Sequence, residues 1–393
     1  MKVLVLNCGS STLKFQLIQT RGSAVERKLA RGVVERIGGD STYKFEVVGE
    51  PPQQGNVAAE NHEAATVQVI GWLNSHPNLG SVDAVGHRVV HGGDQFKSAV
   101  RIDENVIKVL DSLCDLAPLH NPSSVSGIHA ARKVLGSGVP MVAAFDTSFH
   151  QTMPEEAAIY ALPYELSTKH HLRRYGFHGL AHQYSAMRYG ELTGKALDQI
   201  NIVTLHLGNG CSACAIRNGV SIDTSMGYTP LEGLVMGTRS GDLDPALVAH
   251  LARHEGIDEV EKLLNAGSGL LGVSGISSDM RELIAVYKEN PRARLAIDVF
   301  CYRARKYLGA YLAVLQGADA VIFSGGIGEH LPFIRKEICG GMDWCGLILD
   351  ESQNESATGT EGRISAAEAR IQVFVIPSDE EAVIARATAS LLQ

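Results

Sequence analysis

An excess of basic residues is the first thing this chain lacks. Its 35 Lys and Arg are outnumbered by 43 Asp and Glu, giving a net charge of −8, which argues against a general nucleic-acid surface. Long apolar runs are also missing: none approaches ~20 residues, so a membrane span is not expected. The apolar run after Lys2 falls short of the roughly 7–15 residues of a secretory core and continues straight into Cys8-Gly9. It reads as a first strand. The seven cysteines are odd in number and scattered, which predicts a reducing cytoplasm in which most act as small apolar residues. Cys211 and Cys214 form a CxxC, but on a strand they would face opposite sides and no second pair follows, which argues against zinc or redox chemistry. There is no GxxxxGK[ST], GxSxG or HExxH, excluding a Walker-type NTPase, a nucleophile elbow and a zincin. Ser11-Thr12-Leu13-Lys14 matches the SxxK of serine acylases, yet Ser278-Asp279-Met280 is no substitute for their companion motifs.

What is present describes two domains: 393 residues, 45% hydrophobic and 20% charged, suffice for two separate cores. Strand-like runs recur at Val3–Leu6, Leu13–Ile18, Ala84–Val90, Met141–Phe145, Ile202–Leu207, Ala213–Arg217, Ala320–Phe323 and Val373–Ile376. Helical patterns fall at Asn61–His76, Ser123–Leu135, Leu180–Leu192, Pro245–His254 and Pro291–Leu315. The last carries Leu295, Val299 and Tyr302 at i, i+4 and i+7, read as a core or dimer stripe. Residues 350–363 lack apolar period and read as a surface loop. Hairpins followed by alternating helices and strands give an α/β class with mixed sheets.

Three glycine turns end apolar strands. Asn7-Cys8-Gly9-Ser10-Ser11-Thr12 is followed by Lys14, a point charge suited to phosphate. His206-Leu207-Gly208-Asn209-Gly210 repeats the device, with Asn7 falling on His206 when Gly9 is laid on Gly208. Ser324-Gly325-Gly326-Ile327-Gly328-Glu329 leads into a helix start, where backbone amides and the helix dipole favour an anion. The repeat of the hairpin suggests a duplicated unit, with a boundary near residue 150.

Four segments concentrate polar groups without the spacing of a solvated helix face: Gly86–Gly93, Phe145–His150, Arg173–His182 and Met236–Pro245. Arg88 and Asp146 stand at strand ends, where open α/β sheets bind ligands. His178 and His182 are four apart and could share a helix face as metal ligands, but nothing completes a zinc motif. His120, His170 and His171 have no distinguishing company.

Together these motifs resemble the acetokinase family, within the actin, hexokinase and sugar-kinase superfamily. The resemblance runs nearly end to end: Asn7–Lys14, GHRVVHGG at 86–93, DTSFH at 146–150, YGFHG at 175–179, HLGNG at 206–210, GTRSGDLDP at 237–245 and SGGIGE at 324–329. It implies two duplicated actin-like (ribonuclease H-like) α/β domains with mixed sheets and an active-site cleft between them. Residues 1–150, joined by the C-terminal helix 380–393, would form one domain, and 151–379 the nucleotide-binding and dimerising other. The implied reaction is reversible phosphoryl transfer between ATP and acetate with Mg²⁺, for which Mn²⁺ substitutes, in a cytoplasmic homodimer that binds neither nucleic acid nor membrane. Propionate or another short-chain acid is the alternative acceptor, and a non-catalytic nucleotide-binding protein the rival class.

Site residues follow from the same resemblance. Asn7 and Glu380 would hold Mg²⁺, with Ser378-Asp379 standing where Thr-Asn is common, so that Asp379 and Glu381 also remain candidates. Lys14 would touch nucleotide phosphate, and Arg88 would receive the acetate carboxylate. Asp146 matches the catalytic aspartate, and His178 and Arg239 match groups stabilising the transferring phosphoryl. His206, Leu207, Gly208, Asn209 and Gly210 would lie at the nucleotide, as would Asp279, Met280 and Arg281, and Gly325, Gly326, Ile327, Gly328 and Glu329. Val90, Leu119, Phe177 and Pro230 would line the pocket for the acetate methyl. His330 stands where asparagine is common. Acetate is already an anionic nucleophile, so Asp146 is expected to orient groups or metal and not to act as a general base.

Overall fold

The structure is a computed structural model that describes residues 1–22, 24–115, 117 and 121–393. The chain divides into two compact units, Met1–Phe149 with Asp379–Gln393, and His150–Ser378. Each is built on one mixed sheet.

In the first unit the strands are β1 (Lys2–Cys8), β2 (Thr12–Arg21), β3 (Ala24–Glu35), β4 (Thr42–Val47), β5 (Gln53–Asn56), β6 (Ala84–Val89), β7 (Val100–Arg101) and β8 (Met141–Phe145). Their order is β5-β4-β3-β2-β1-β6-β8-β7. The apolar run of Val3 to Leu6 is fully buried, as expected of a strand covered on both faces. One face packs Leu4, Leu6, Leu13, Phe15 and Leu17 on Ala65, Val69 and Leu73 of the His62–Asn74 helix. On the other lies the Glu380–Leu392 helix. Gly86 permits its approach, since a Cβ there would sit 2.6 Å from Ile384 Cγ2 and 2.7 Å from Thr388 Oγ1.

The second unit contains β9 (Ile202–Leu207), β10 (Cys211–Arg217), β11 (Val220–Thr224), β12 (Ala320–Ser324), β13 (Gly362–Arg363) and β14 (Gln372–Val375), ordered β11-β10-β9-β12-β14-β13. Its run β11-β10-β9-β12-β14 repeats the run β3-β2-β1-β6-β8 of the first sheet. In both, three strands run antiparallel and the first of them continues into two parallel neighbours. The expected duplicated, mixed α/β architecture is therefore present. The Pro291–Leu315 helix packs on β9 and β10.

Two expectations need correction. Of the two readings of the Leu295 stripe the core one fails, because Leu295 and Tyr302 are exposed, at 52% and 63%, and the core face of that helix is Ala293, Ala296, Ile297, Phe300 and Ala304; exposure leaves the dimer reading standing. Small residues fit the close sheet contact, so the larger stripe faces outward. Residues 350–363 are not a plain loop: Glu351–Ser356 is a helix capped by Asp350, and Gly362–Arg363 a short strand. The helix has no apolar period because its anchor is polar. Asn354 is buried against the guanidinium of Arg335.

Candidate active site

In the first unit, β1, β6 and β8 run parallel and end together, which brings Asn7, Arg88 and Asp146 to one edge. Arg88 Nε donates to Asp146 Oδ1 at 2.9 Å and its Nη2 to Oδ2 at 2.6 Å, a bidentate pair. Its Nη1 reaches Asn7 Oδ1 at 3.4 Å, and Glu380 Oε2 lies 3.4 Å from its Nε. Asp146 is buried. Burial works against the Arg88 charge, but Asp146 and then Glu380 outweigh it and raise its pKa. Burial, with Asp146 adding to it, lifts the Glu380 carboxyl above its ordinary range against the pull of Arg88 and Lys14. The cluster thus holds more buried carboxylate than cation.

The loop carrying Val90 is braced from behind. Asn121 Oδ1 accepts from His91 N at 3.0 Å, its Nδ2 donates to His91 O at 3.0 Å, and Thr147 Oγ1 accepts from Gly92 N at 3.0 Å. At the first glycine turn Gly9 N donates to Thr12 O, and His62 Nε2 meets Gly9 O at 2.8 Å. Lys14 pairs with Asn7 in the ladder and is exposed along a groove of about 260 Å³ shared with Arg31, Lys44 and Glu381. Leu119, expected in the acyl pocket, and His120 lie outside the described residues.

In the second unit the turn after β9 gathers the remaining groups. His178 has φ 56° and ψ 23°, the left-handed region, as the cap of the Gly179–Thr193 helix. That conformation is uncommon for histidine and often marks functional sites. Its ring and that of His182, four residues on, still meet at one atom, Ser212 Oγ, at 2.9 and 2.8 Å. A Cβ on Gly210 would stand 3.3 Å from His178 Cε1 and 3.5 Å from both His178 Nε2 and Arg239 Nη1. Glycine there lets the imidazole and the guanidinium close on one point. The His206 ring lies 4.7 Å from that of His178. Arg239 Nη1 donates to Pro230 O at 3.1 Å, and burial lowers its pKa. Phe177 is buried, and its carbonyl meets His150 Nε2 at 3.1 Å.

A cavity of about 420 Å³ adjoins the turn, within the range of small-molecule sites. Gly208, Asn209, Asp279, Met280, Arg281, Gly326 and Ile327, all named above as candidate nucleotide residues, line it. Ser278, His330 and Leu331 line it too; no motif pointed to Ser278 or Leu331. His206, Leu207, Gly210, Gly325, Gly328 and Glu329 are not in its wall. Leu207 is wholly in the core. Gly325 has φ +74°, and a Cβ there would strike Leu207 O at 2.6 Å. Glu329 Oε1 accepts from Gly325 N at 2.8 Å and Ser378 N at 3.0 Å, so its carboxylate braces the turn. Buried Arg335 holds the same turn by donating to Gly328 O at 2.8 Å and Asn354 O at 2.7 Å.

Known proteins match this chain over nearly its full length. Residues 2–386 match the model of the acetokinase family. The acetate kinase of Chloroherpeton thalassium is 50% identical over 412 residues, covering 99% of this chain and 98% of the relative. The crystal structure of Porphyromonas gingivalis acetate kinase superposes with a TM-score of 0.92 at 42% identity, covering 100% of both chains. A propionate kinase from Francisella tularensis superposes with a TM-score of 0.92 at 38% identity, covering 99% of both. With the duplicated sheets, the glycine turns and full-length matches in agreement, the chain belongs to the acetokinase family.

Proposed function

We propose that this chain transfers the terminal phosphoryl of ATP to acetate, giving ADP and acetyl phosphate reversibly, by direct in-line displacement. It is a phosphotransferase with a carboxyl group as acceptor. The reaction brings one anion against another and asks little covalent help of the protein; alignment and charge neutralisation supply the rate. Arg88 receives the acetate carboxylate, held in one pose by Asp146, and the candidates for contact with the methyl group are Val90 in the first unit and Phe177 and Pro230 in the second. Arg239 and His178 spread the charge of the transferring phosphoryl. The cavity lined by Asn209, Met280 and Ile327 takes the nucleoside, and Lys14 meets phosphate.

The first-unit donors fit Mg²⁺. Asn7 and Glu380 offer hard oxygens, and Mg²⁺ is commonly held by one or two carboxylates plus substrate phosphates. Burial, with the Asp146 carboxylate adding to it, lifts the Glu380 carboxyl, and a further cation there would offset both. Bound Mg²⁺, or Mn²⁺ in its place, would neutralise phosphate charge. Asp379, whose side chain caps the Glu380–Leu392 helix and pairs with Lys28 at 2.7 Å, is committed elsewhere.

The observation that carries the reading is the convergence of His178 and Arg239 on Gly210. Trapping acyl phosphate with hydroxylamine, in ATP and Mg²⁺ with acetate, propionate or butyrate, tests it. Acetate should give the highest kcat/KM, ahead of propionate by about 1–3 kcal/mol for the added methylene. A propionate preference would make the chain a propionate kinase, and no product with any acid would favour a non-catalytic binding protein. A homodimer in the cytoplasm is part of the proposal, supported by the Pro245–Glu255 helix, which buries none of its residues within the chain.

A further inference from the structure

Behind His178 runs a buried line of hydrogen-bonding groups that the proposed reaction does not use. His178 Nδ1 lies 2.9 Å from Ser212 Oγ, Ser212 Oγ lies 2.8 Å from His182 Nε2, and His182 Nδ1 lies 2.7 Å from Thr204 Oγ1. Ser212, His182 and Thr204 are all fully buried, with 0% exposure. Burial, with His150 and His206 nearby, keeps His182 well below the ordinary histidine pKa. It is a neutral ring with one N–H and one lone pair.

With a neutral His178 at its end, the line can be wired in two directions. In the first, His178 Nδ1–H donates to Ser212, Ser212 O–H to His182 Nε2, and His182 Nδ1–H to Thr204. The Thr204 hydroxyl proton then has no acceptor, because among the described residues that hydroxyl pairs with His182 alone. In the second, Thr204 O–H donates to His182 Nδ1, His182 Nε2–H to Ser212 Oγ, and Ser212 O–H to His178 Nδ1. Every buried group is then satisfied. An orphaned buried donor is costly, so the second direction is favoured.

We infer that Thr204, His182 and Ser212 are positioning residues that keep the proton of neutral His178 on Nε2, the nitrogen packed at Gly210 beside Arg239 Nη1. An N–H at that point attracts a phosphoryl oxygen, whereas the other tautomer would present a lone pair to an anion. The inference rests on the reading of His178 as a phosphoryl donor and adds what fixes its tautomer.

Nitrogen-15 NMR of the full chain labelled in its histidine rings, with the H178Q variant assigning the resonance, reads the tautomer without turnover. The wild type should show protonated Nε2 on His178. S212A and the isosteric T204V should mix the tautomers and lower kcat roughly 10- to 100-fold, with KM for ATP and acetate within about threefold. T204S keeps the hydroxyl and should recover most of the loss. A bare Nε2 on neutral wild-type His178 overturns the proposal whether or not a variant folds. So do S212A and T204V that retain the wild-type tautomer and turnover. If H178A retained full turnover, the catalytic reading would fail while the tautomer measurement still decided the relay.

Discussion

Replacing Arg88 and Asp146 singly and together separates an orienting aspartate from a general base. Arg88 makes two charge-assisted hydrogen bonds to Asp146, at 2.9 and 2.6 Å, each worth about 1.5–3 kcal/mol. Glu380, 3.4 Å from Nε, would recover part of that when Asp146 is lost. A coupling of about 3 kcal/mol remains, roughly 10²-fold in kcat/KM. Arg88→Ala should lower kcat/KM for acetate by ~10³–10⁵. Asp146→Asn, which keeps the shape but frees the guanidinium to swing, should lower it by ~10²–10³. If Asp146 works only through Arg88, the double variant will be no worse than Arg88→Ala within about threefold. The assay is initial rates of hydroxamate formation at subsaturating acetate, with far-UV circular dichroism confirming each fold. A double variant that shows the full product of the two single losses would refute the orienting role, because an independent chemical contribution is additive.

Arg239→Ala should lower kcat by ~10³–10⁵, the range for a cation serving phosphoryl charge; turnover within tenfold of wild type would remove it from the mechanism. Acid should destabilise the fold earlier than its carboxylates dictate. His87, pushed down to about 3 from 6.5 by burial, and His182, held well below 6.5, stay neutral when folded. The unfolded chain binds these protons first, so stability falls as pH drops below 6.5, at up to about 1.4 kcal/mol per unit for each. Urea midpoints unchanged between pH 7.5 and 5.5 would contradict this. Arg335→Met removes the guanidinium that donates to the carbonyls of Gly328, Asn354 and Ala357, while Glu329 O keeps its bond from Gly359 N. At about 1–3 kcal/mol for a buried acceptor left unsatisfied, it should cost about 3–5 kcal/mol in urea unfolding and raise KM for ATP as the Gly325–Glu329 turn loosens, and a loss under 1 kcal/mol would show that the clamp is dispensable.

The parts of the fold that were legible in the sequence are those where burial dictates composition. Met141–Phe145, Ile202–Leu207 and the Pro291–Leu315 helix have the bounds their patterns gave, because strands covered on both faces must be apolar throughout. Charged residues and glycines ending such strands marked Arg88, Asp146 and the three turns. The Ala24–Glu35 strand was illegible: it carries Glu26, Arg27, Lys28, Arg31 and Glu35, and register shifts beside Leu17 and Gln19 break its alternation. The Glu351–Ser356 helix was hidden because a buried guanidinium, not an apolar stripe, anchors it. Ser212, Thr204 and Asn121 escaped notice for a related reason. A short polar side chain on a strand or at a helix start carries no periodic signal, and only the fold shows which polar atom it meets.

Register shows how one duplicated frame serves two kinds of chemistry. Along the β1–β2 hairpin Asn7 pairs with Lys14, and along β9–β10 His206 pairs with Ser212. Leu6 pairs with His87 in the parallel neighbour β6, so Asn7 stands beside Arg88, as His206 stands beside Ser324 in β12. The side chains touch in both units: Arg88 Nη1 reaches Asn7 Oδ1 at 3.4 Å, and His206 Nδ1 lies 3.2 Å from Ser324 Oγ. At matched positions the first unit therefore carries an amide, an ammonium and a guanidinium, the second an imidazole and two hydroxyls. On the proposed reading the Arg88 guanidinium grips a free carboxylate and the Lys14 ammonium meets phosphate. On the same reading the imidazole and hydroxyls of the second unit support the end where charge shifts between phosphoryl oxygens. Arg239, whose guanidinium stands at Gly210, comes from a loop outside the repeat. That is why duplication alone could not have revealed it.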